Sequence, residues 1–259
     1  FISSKHEKIE ITDTIKENDL IIHIAKKIPT HPDESLTAQV NTEKRQMAAN
    51  NHTATHLLHY ALRKVLGSHV EQKGSLVTPD RLRFDFSHFG RLTREELLKV
   101  EEIANQLVRN NHSRQVTDNI PLKNAISMGA MALFGEKYGE TVRVVQFGDS
   151  VELCGGTHVD STASIGLIKI VSEGAIAAGV RRIEAVTGPR ADEYINEKLT
   201  ALEEIAVLLK SPANLKEGVE KLIAENSGLR KTIEKFKSQS AKVSLQQLLG
   251  KAIKINDIS

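Results

Sequence analysis

Thr42-Glu43-Lys44-Arg45-Gln46-Met47-Ala48-Ala49-Asn50-Asn51-His52-Thr53-Ala54-Thr55-His56-Leu57-Leu58-His59-Tyr60-Ala61-Leu62-Arg63-Lys64-Val65-Leu66, followed by Gly67, is the stretch on which the fold turns. Met47, Leu57, Leu58, Ala61, Leu62 and Val65 recur at helical spacing, which predicts one long helix from about Thr42 to Leu66 that stops at Gly67. His52 and His56 stand one helical turn apart, so both imidazoles leave the same face as a preformed clamp for a metal ion.

The complement to that clamp lies about a hundred residues further on, in Leu153-Cys154-Gly155-Gly156-Thr157-His158. A thiolate and a third imidazole sit on a Gly-rich turn directly after a strand-like run, and the glycines allow the chain to fold sharply enough for both side chains to converge. His52, His56, Cys154 and His158 thus form a four-donor set suited to one Zn(II) per chain, which accepts soft and borderline ligands in a tetrahedron. The lack of oxygen donors disfavours calcium and magnesium. His59 shares the helix face but is expected to pack or to support the site, since the set is already complete. Residue 53 is Thr where a zincin protease has a Glu as general base, so a metalloprotease is not expected.

Outward from these two segments, Glu7 to Val40 reads as strands, carried by Ile9-Glu10-Ile11 and Leu20-Ile21-Ile22-His23-Ile24 and punctuated by Glu17-Asn18-Asp19, Pro29 and Pro32. Leu82 to Ser87 alternates as a strand with one buried face. Thr93-Arg94-Glu95-Glu96 is a capping box opening a second helix through Leu97, Val100, Ala104 and Leu107. Strands are expected at Val142 to Phe147, Ile165 to Val171 and Val180 to Val186. After Gly188-Pro189 an apolar stripe runs through Ile195, Leu199, Leu202, Ala206 and Leu209. It resumes beyond Ser211-Pro212 at Leu215, Val219, Leu222, Asn226, Leu229, Ile233, Phe236, Ser240 and Val243, which predicts an antiparallel helical hairpin. The fold class is therefore α+β: a mixed sheet with packed helices over 44–190, a partial β-subdomain over 1–43, the hairpin over 191–250 and the start of a further element over 251–259.

At 259 residues, with 40% hydrophobic and 26% charged residues, the chain has the composition of an ordinary globular protein. No apolar run is long enough to span a bilayer. The single cysteine excludes an internal disulfide and fits a reducing cytoplasm. A formal charge of +2 supplies no global field for nucleic acid, so any RNA contact must come from local patches. The chain opens on Phe1-Ile2-Ser3-Ser4, with neither an initiator Met nor a secretion signal, from which a piece of a longer protein is expected.

Five motifs occur in a fixed order: Asn51 to His59, Gln72-Lys73-Gly74-Ser75-Leu76, Arg83-Phe84-Asp85-Phe86-Ser87, Cys154-Gly155-Gly156-Thr157-His158, and Val180-Arg181-Arg182-Ile183-Glu184-Ala185-Val186-Thr187-Gly188. Together they resemble the editing domain of alanyl-tRNA synthetases over roughly Lys44 to Gly188, and the helical tail resembles the segment that follows it in that family. The editing domain of threonyl-tRNA synthetases is similar in its His and Cys pattern but differs at the Cys turn. The resemblance implies hydrolysis of seryl- or glycyl-tRNA(Ala), within a cytoplasmic enzyme that attaches alanine using ATP and Mg2+ in a core this sequence does not resemble. The implied partner is the misacylated acceptor end of tRNA(Ala), with no membrane, and the helical tail is the place for a homodimer contact.

Serine exceeds alanine by one hydroxyl, which a small synthetic pocket rejects poorly, so a second hydrolytic site is the expected solution. Thr55 is the candidate contact for that hydroxyl. Gln72 and the backbone around Gly155, Gly156 and Thr157 are candidates for orienting water or holding an oxyanion. Arg181 and Arg182 are adjacent on a predicted strand and point to opposite faces. One is expected to reach the terminal adenosine or its phosphate and the other to pair with a carboxylate such as Glu184; Asp85 is either structural or tRNA-facing. The readings left open beside editing are a non-enzymatic tRNA-binding module with a structural zinc and a free-standing editing hydrolase.

Overall fold

The computed structural model describes residues 1–18, 20–132, 138–210 and 214–250, with side chains through 248. Asp19, Ser211-Pro212 and the element expected over 251–259 lie outside the described residues. The chain divides into two compact units, Phe1–Glu193 and Tyr194–Ser259.

The first unit opens with short strands: β1 (Ile2–Ser3), β2 (Lys8–Ile9), β3 (Ile11–Glu17), β4 (Leu20–Ala25) and β5 (Thr37–Ala38). They form a small sheet in the order β2-β1-β5 and a separate β3-β4 hairpin. Helix α1 (Thr42–Leu66) follows within the predicted limits. Asn41 Oδ1 caps its start by accepting from Lys44 N–H, and Gly67 N–H closes its end on Arg63 O.

Next come β6 (Gln72–Val77), β7 (Leu82–Ser87), α2 (Arg94–Arg109), β8 (Gln115–Pro121), α3 (Leu122–Ser127), β9 (Thr141–Phe147), β10 (Ser150–Leu153), β11 (Ile168–Ala177) and β12 (Val180–Thr187). The capping box of α2 is complete, with Thr93 Oγ1 accepting from Glu96 N–H and Glu96 accepting from Thr93 N–H. Two antiparallel sheets result, β11-β12-β7-β6 and β10-β9-β8. Mixed α+β architecture is thus observed.

The strand expected at Ile165 to Val171 begins later and runs longer. Thr162–Ile165 is a 3₁₀ turn, and β11 starts only at Ile168. Ile165 is fully buried from that turn, and apolarity without a visible turn signal is what misplaced the strand start. The expectations did not include β6, whose Gln72-Lys73-Gly74-Ser75 stretch is polar because it forms a sheet edge, nor β8 or α3, whereas β10 is the strand expected directly before Cys154.

One core joins α1, α2 and the inner face of the four-stranded sheet: Leu57, Leu58 and Leu62 meet Phe84, Phe86, Ile183, Val100 and Ala104. β9 is buried on both faces, Val145 and Phe147 entering that core and Val142 and Val144 a satellite with Ala125 and Leu153. Asn51 ties the helix to the sheet, donating to Thr78 O at 2.8 Å and accepting from the Thr187 hydroxyl at 2.8 Å. Buried amides are tolerated only when satisfied in this way.

Helix α4 (Pro189–Leu208) crosses from the first unit into the second, and α5 (Leu215–Gly250) makes up most of the second. The helices are present where the stripe predicted them. Along α5, however, Leu222, Leu229, Ile233, Phe236 and Val243 are all exposed. No helix among the described residues is long and apolar enough to cross a membrane.

Candidate metal centre

Helical spacing delivers His52 and His56, and a strand end delivers Cys154 and His158. β10 has a period of two, so Ser150, Glu152 and the following Cys154 share the side that faces α1. Ser150 Oγ reaches His56 O at 3.5 Å, and Glu152 meets His56 and His59. The ligating atoms of His52, His56, Cys154 and His158 all lie within 4.8 Å of one another.

The donor set fits zinc on its spacing. Cys154 Sγ is 3.4 Å from His52 Nε2 and 3.3 Å from His158 Nε2. Zinc bonds of about 2.3 Å to sulfur and about 2.0–2.1 Å to nitrogen give a tetrahedral N–S edge of about 3.5 Å. His56 Nδ1 is buried with no hydrogen-bond partner among the described residues, the kind of atom that metal ligation or a bound polar group satisfies.

Each imidazole also turns a nitrogen to an oxygen, which sets its orientation. His52 Nδ1 donates to Thr157 O at 3.2 Å, so its Nε2 keeps a free lone pair toward Cys154. His158 Nδ1 lies 3.1 Å from Thr53 Oγ1, which also accepts from Val159 N–H at 3.2 Å. His56 Nε2 lies 3.5 Å from Glu152 Oε2.

Burial lowers the pKa of all three imidazoles. His158 falls to about 3, with His52, Arg143 and Arg114 adding to the effect of desolvation. His56 is held well below the ordinary value by burial and then by His158, His52 and His59. His52 is lowered by burial against the opposing hydrogen bond to Thr157. Neutral imidazoles keep the lone pairs that a metal needs. Glu152 is raised by burial, against the opposing hydrogen bond from His59.

The turn between Cys154 and His158 is held by two arginines that sequence reasoning passed over. Arg143, on the face of β9 shared with Val145 and Phe147, donates to Cys154 O at 2.9 Å and Gly156 O at 3.0 Å. Arg114 donates to His158 O at 2.8 Å and pairs with Asp160. Gly156 is required by proximity, since a Cβ there would fall on the His52 ring, 2.6 Å from Nδ1. At Gly155 the same atom would meet open space. A cavity of about 230 Å³ borders this side, lined by Tyr138, Gly139, Thr141, Arg143, Cys154 and Gly155 among others.

Other expected site residues fall as follows. Thr55 is buried and donates its hydroxyl to Asn51 O at 2.9 Å. Gln72 opens β6 opposite Phe86, with Nε2 3.5 Å from Ser75 Oγ. The arginine pair departs from expectation: Arg182 forms a two-pronged ion pair with Asp85 at 2.7 and 2.8 Å, and Arg181 pairs with Glu173. Glu184 instead meets Ser172 at 3.0 Å and Arg81 at 3.3 Å. Strand pairing explains the exchange, because Asp85 is the residue directly across from Arg182 whereas Glu184 lies across from Arg83. Glu152 and Thr53 are the site residues that sequence reasoning did not assign, and the alternation Ser150-x-Glu152-x-Cys154 was the signal for the first.

Comparison with known proteins adds two findings. Residues 142–184 match the family model described as the threonyl and alanyl tRNA synthetase second additional domain. An alanine–tRNA ligase of Bacteroides fragilis is 52% identical over 255 residues, covering 98% of this chain and 29% of that protein. Those of Bacteroides thetaiotaomicron and Porphyromonas gingivalis are each 51% identical, over 96% and 89% of the chain and 29% and 26% of their own lengths. The chain thus spans under a third of the length of the relatives it matches.

Proposed function

From the premise that this chain is homologous to the alanine–tRNA ligases over nearly its whole length, we propose that it hydrolyses the ester of tRNA(Ala) wrongly charged with serine or glycine. The observation that carries the reading is the convergence of four metal donors from α1 and the turn after β10, all within 4.8 Å. In this reading residues 44–190 form the editing unit, 1–43 a β-subdomain and 191–250 a helical hairpin whose open seam receives a second copy of the chain. Attachment of alanine with ATP and Mg2+ belongs to the wider enzyme, in the cytoplasm.

His52, His56, Cys154 and His158 would hold zinc. When bound, the ion supplies a positive centre that positions the substrate's amino group, or that polarises an ester carbonyl or bound water. Four protein donors leave little room for a further ligand, which favours positioning. His158 Nδ1 then carries the proton and donates to Thr53, as His52 Nδ1 does to Thr157.

Gly156 N–H is turned to Cys154 Sγ at 3.4 Å, whereas Gly155 N–H makes no hydrogen bond among the described residues and borders the cavity. Gly155 N–H is therefore the donor we assign to a developing oxyanion, with Gln72 orienting the attacking water. Thr55 commits its own proton to Asn51, leaving an acceptor lone pair for the serine hydroxyl. Alanine has no donor to place there and gains nothing from that contact. The contact supplies no discrimination for glycine.

A second reading, a tRNA-binding module with a structural zinc, is favoured by the closeness of the four donors. The two separate in one assay: deacylation of seryl- and alanyl-tRNA(Ala) by the zinc-loaded chain, beside a folded Cys154→Ala variant. Editing requires selective cleavage of the seryl ester by the wild type and loss of cleavage in the variant. A folded, zinc-loaded wild type that binds tRNA and cleaves neither ester supports the module.

A further inference from the structure

The metal centre leaves one buried acidic group without a role. Glu152 is 3% exposed, and among the described residues no lysine or arginine forms an ion pair with it. Its Oε1 lies 3.0 Å from His59 Nδ1 and its Oε2 lies 3.5 Å from His56 Nε2. His59 packs its ring near Phe84, at 5.2 Å between centroids, and its Nε2 has no hydrogen-bond partner among the described residues. Among the described residues, Glu152 is the polar partner of the buried His59.

We propose that Glu152 is a positioning residue for the metal centre: His59 anchors one carboxylate oxygen, and the other fixes how His56 presents its ring to Cys154, His52 and His158. The inference rests on the zinc reading above. A carboxylate is needed because it offers two acceptor oxygens, while a glutamine of the same shape offers one oxygen and one NH₂ and cannot accept from both rings. A carboxylate behind a ligating imidazole orients the ring and raises its basicity, and losing such a partner weakens metal binding about 10- to 100-fold. β10 supplies Glu152, and Cys154 follows the strand on the same side, so ligand and support arrive at one strand end.

The test measures zinc affinity of the full chain by competition with a chromophoric chelator, together with the visible spectrum of the Co(II)-substituted protein and circular dichroism. The wild-type arm examines the zinc reading alone, since a wild type that takes up no zinc overturns that reading and this one with it. Given wild-type uptake, Glu152→Gln is expected to fold, to bind zinc about 10- to 100-fold more weakly and to shift the cobalt bands, with Glu152→Asp in between. A folded Glu152→Gln protein with wild-type affinity and cobalt spectrum overturns the proposal. If Glu152→Gln does not fold, His59→Gln, which keeps a donor on the anchored oxygen, is compared with His59→Leu, which removes it. Weaker zinc binding in the Leu variant supports the anchor, and equal affinities overturn it.

Discussion

Helices α1 and α5 are both long, both carry apolar residues at helical spacing, and they have opposite fates. α1 buries twelve residues, six of them polar or ionisable: Asn50, Asn51, Thr53, Thr55, His56 and His59. α5 buries none of its described residues; Phe236 is 66% exposed and Leu229 63%. Periodicity specifies a seam but not what covers it. What distinguishes α1 is the set of polar groups on its buried face, each of which costs free energy unless a partner satisfies it; Thr55 and Asn50 find one within the helix, and the others find theirs on other elements. Those partners are Thr78, Thr187, Glu152 and the turn after Cys154, so the residues that make α1 informative also fix where it docks.

Substitutions on the two helices and their surroundings test this contrast. The largest effect is expected at the candidate metal centre, where Gly156→Ala would drive a Cβ into His52 while Gly155→Ala meets open space. Zinc uptake, read by chelator competition, should be lost in the first and retained in the second. Equal behaviour of the two would mean that His52 can move without consequence.

In the core beside α1, Phe84→Ala removes a fully buried ring and should destabilise the first unit by about 3–5 kcal/mol in denaturant unfolding. Asn51→Ala strands the hydroxyl of Thr187 and the carbonyl of Thr78, for a loss of about 1–3 kcal/mol. A negligible loss would show that water replaces the amide. At the other extreme, Phe236→Ala on α5 should change the stability of the single chain, at concentrations too low for self-association, by less than about 0.5 kcal/mol. A larger loss at high chain concentration that shrinks on dilution would show that the seam is covered by a second chain.

Cysteine and histidine spacing announced the candidate centre, because donors one helical turn apart must share a face and a Gly-Gly turn can bring a thiol and an imidazole together. The structure brings all four side chains within 4.8 Å. Glu152 escaped notice because the alternation Ser150-x-Glu152-x-Cys154 marks a shared face of β10 without saying that this face turns toward α1. The partners of Arg181 and Arg182 escaped because register, rather than nearness in sequence, selects them: Asp85 is 97 residues from Arg182.

The limits of α1, the capping box at Thr93, the α+β class and the candidate donor set were legible in the residues alone, since each depends on interactions within a turn or on residue chemistry. Only the tertiary structure decided that Thr53 and Glu152 stand behind the imidazoles, that Arg143 and Arg114 hold the turn, and that Asp85 rather than Glu184 answers Arg182. Those contacts join residues distant in the chain, and their geometry exists only once the strands have paired and the helix has packed on them.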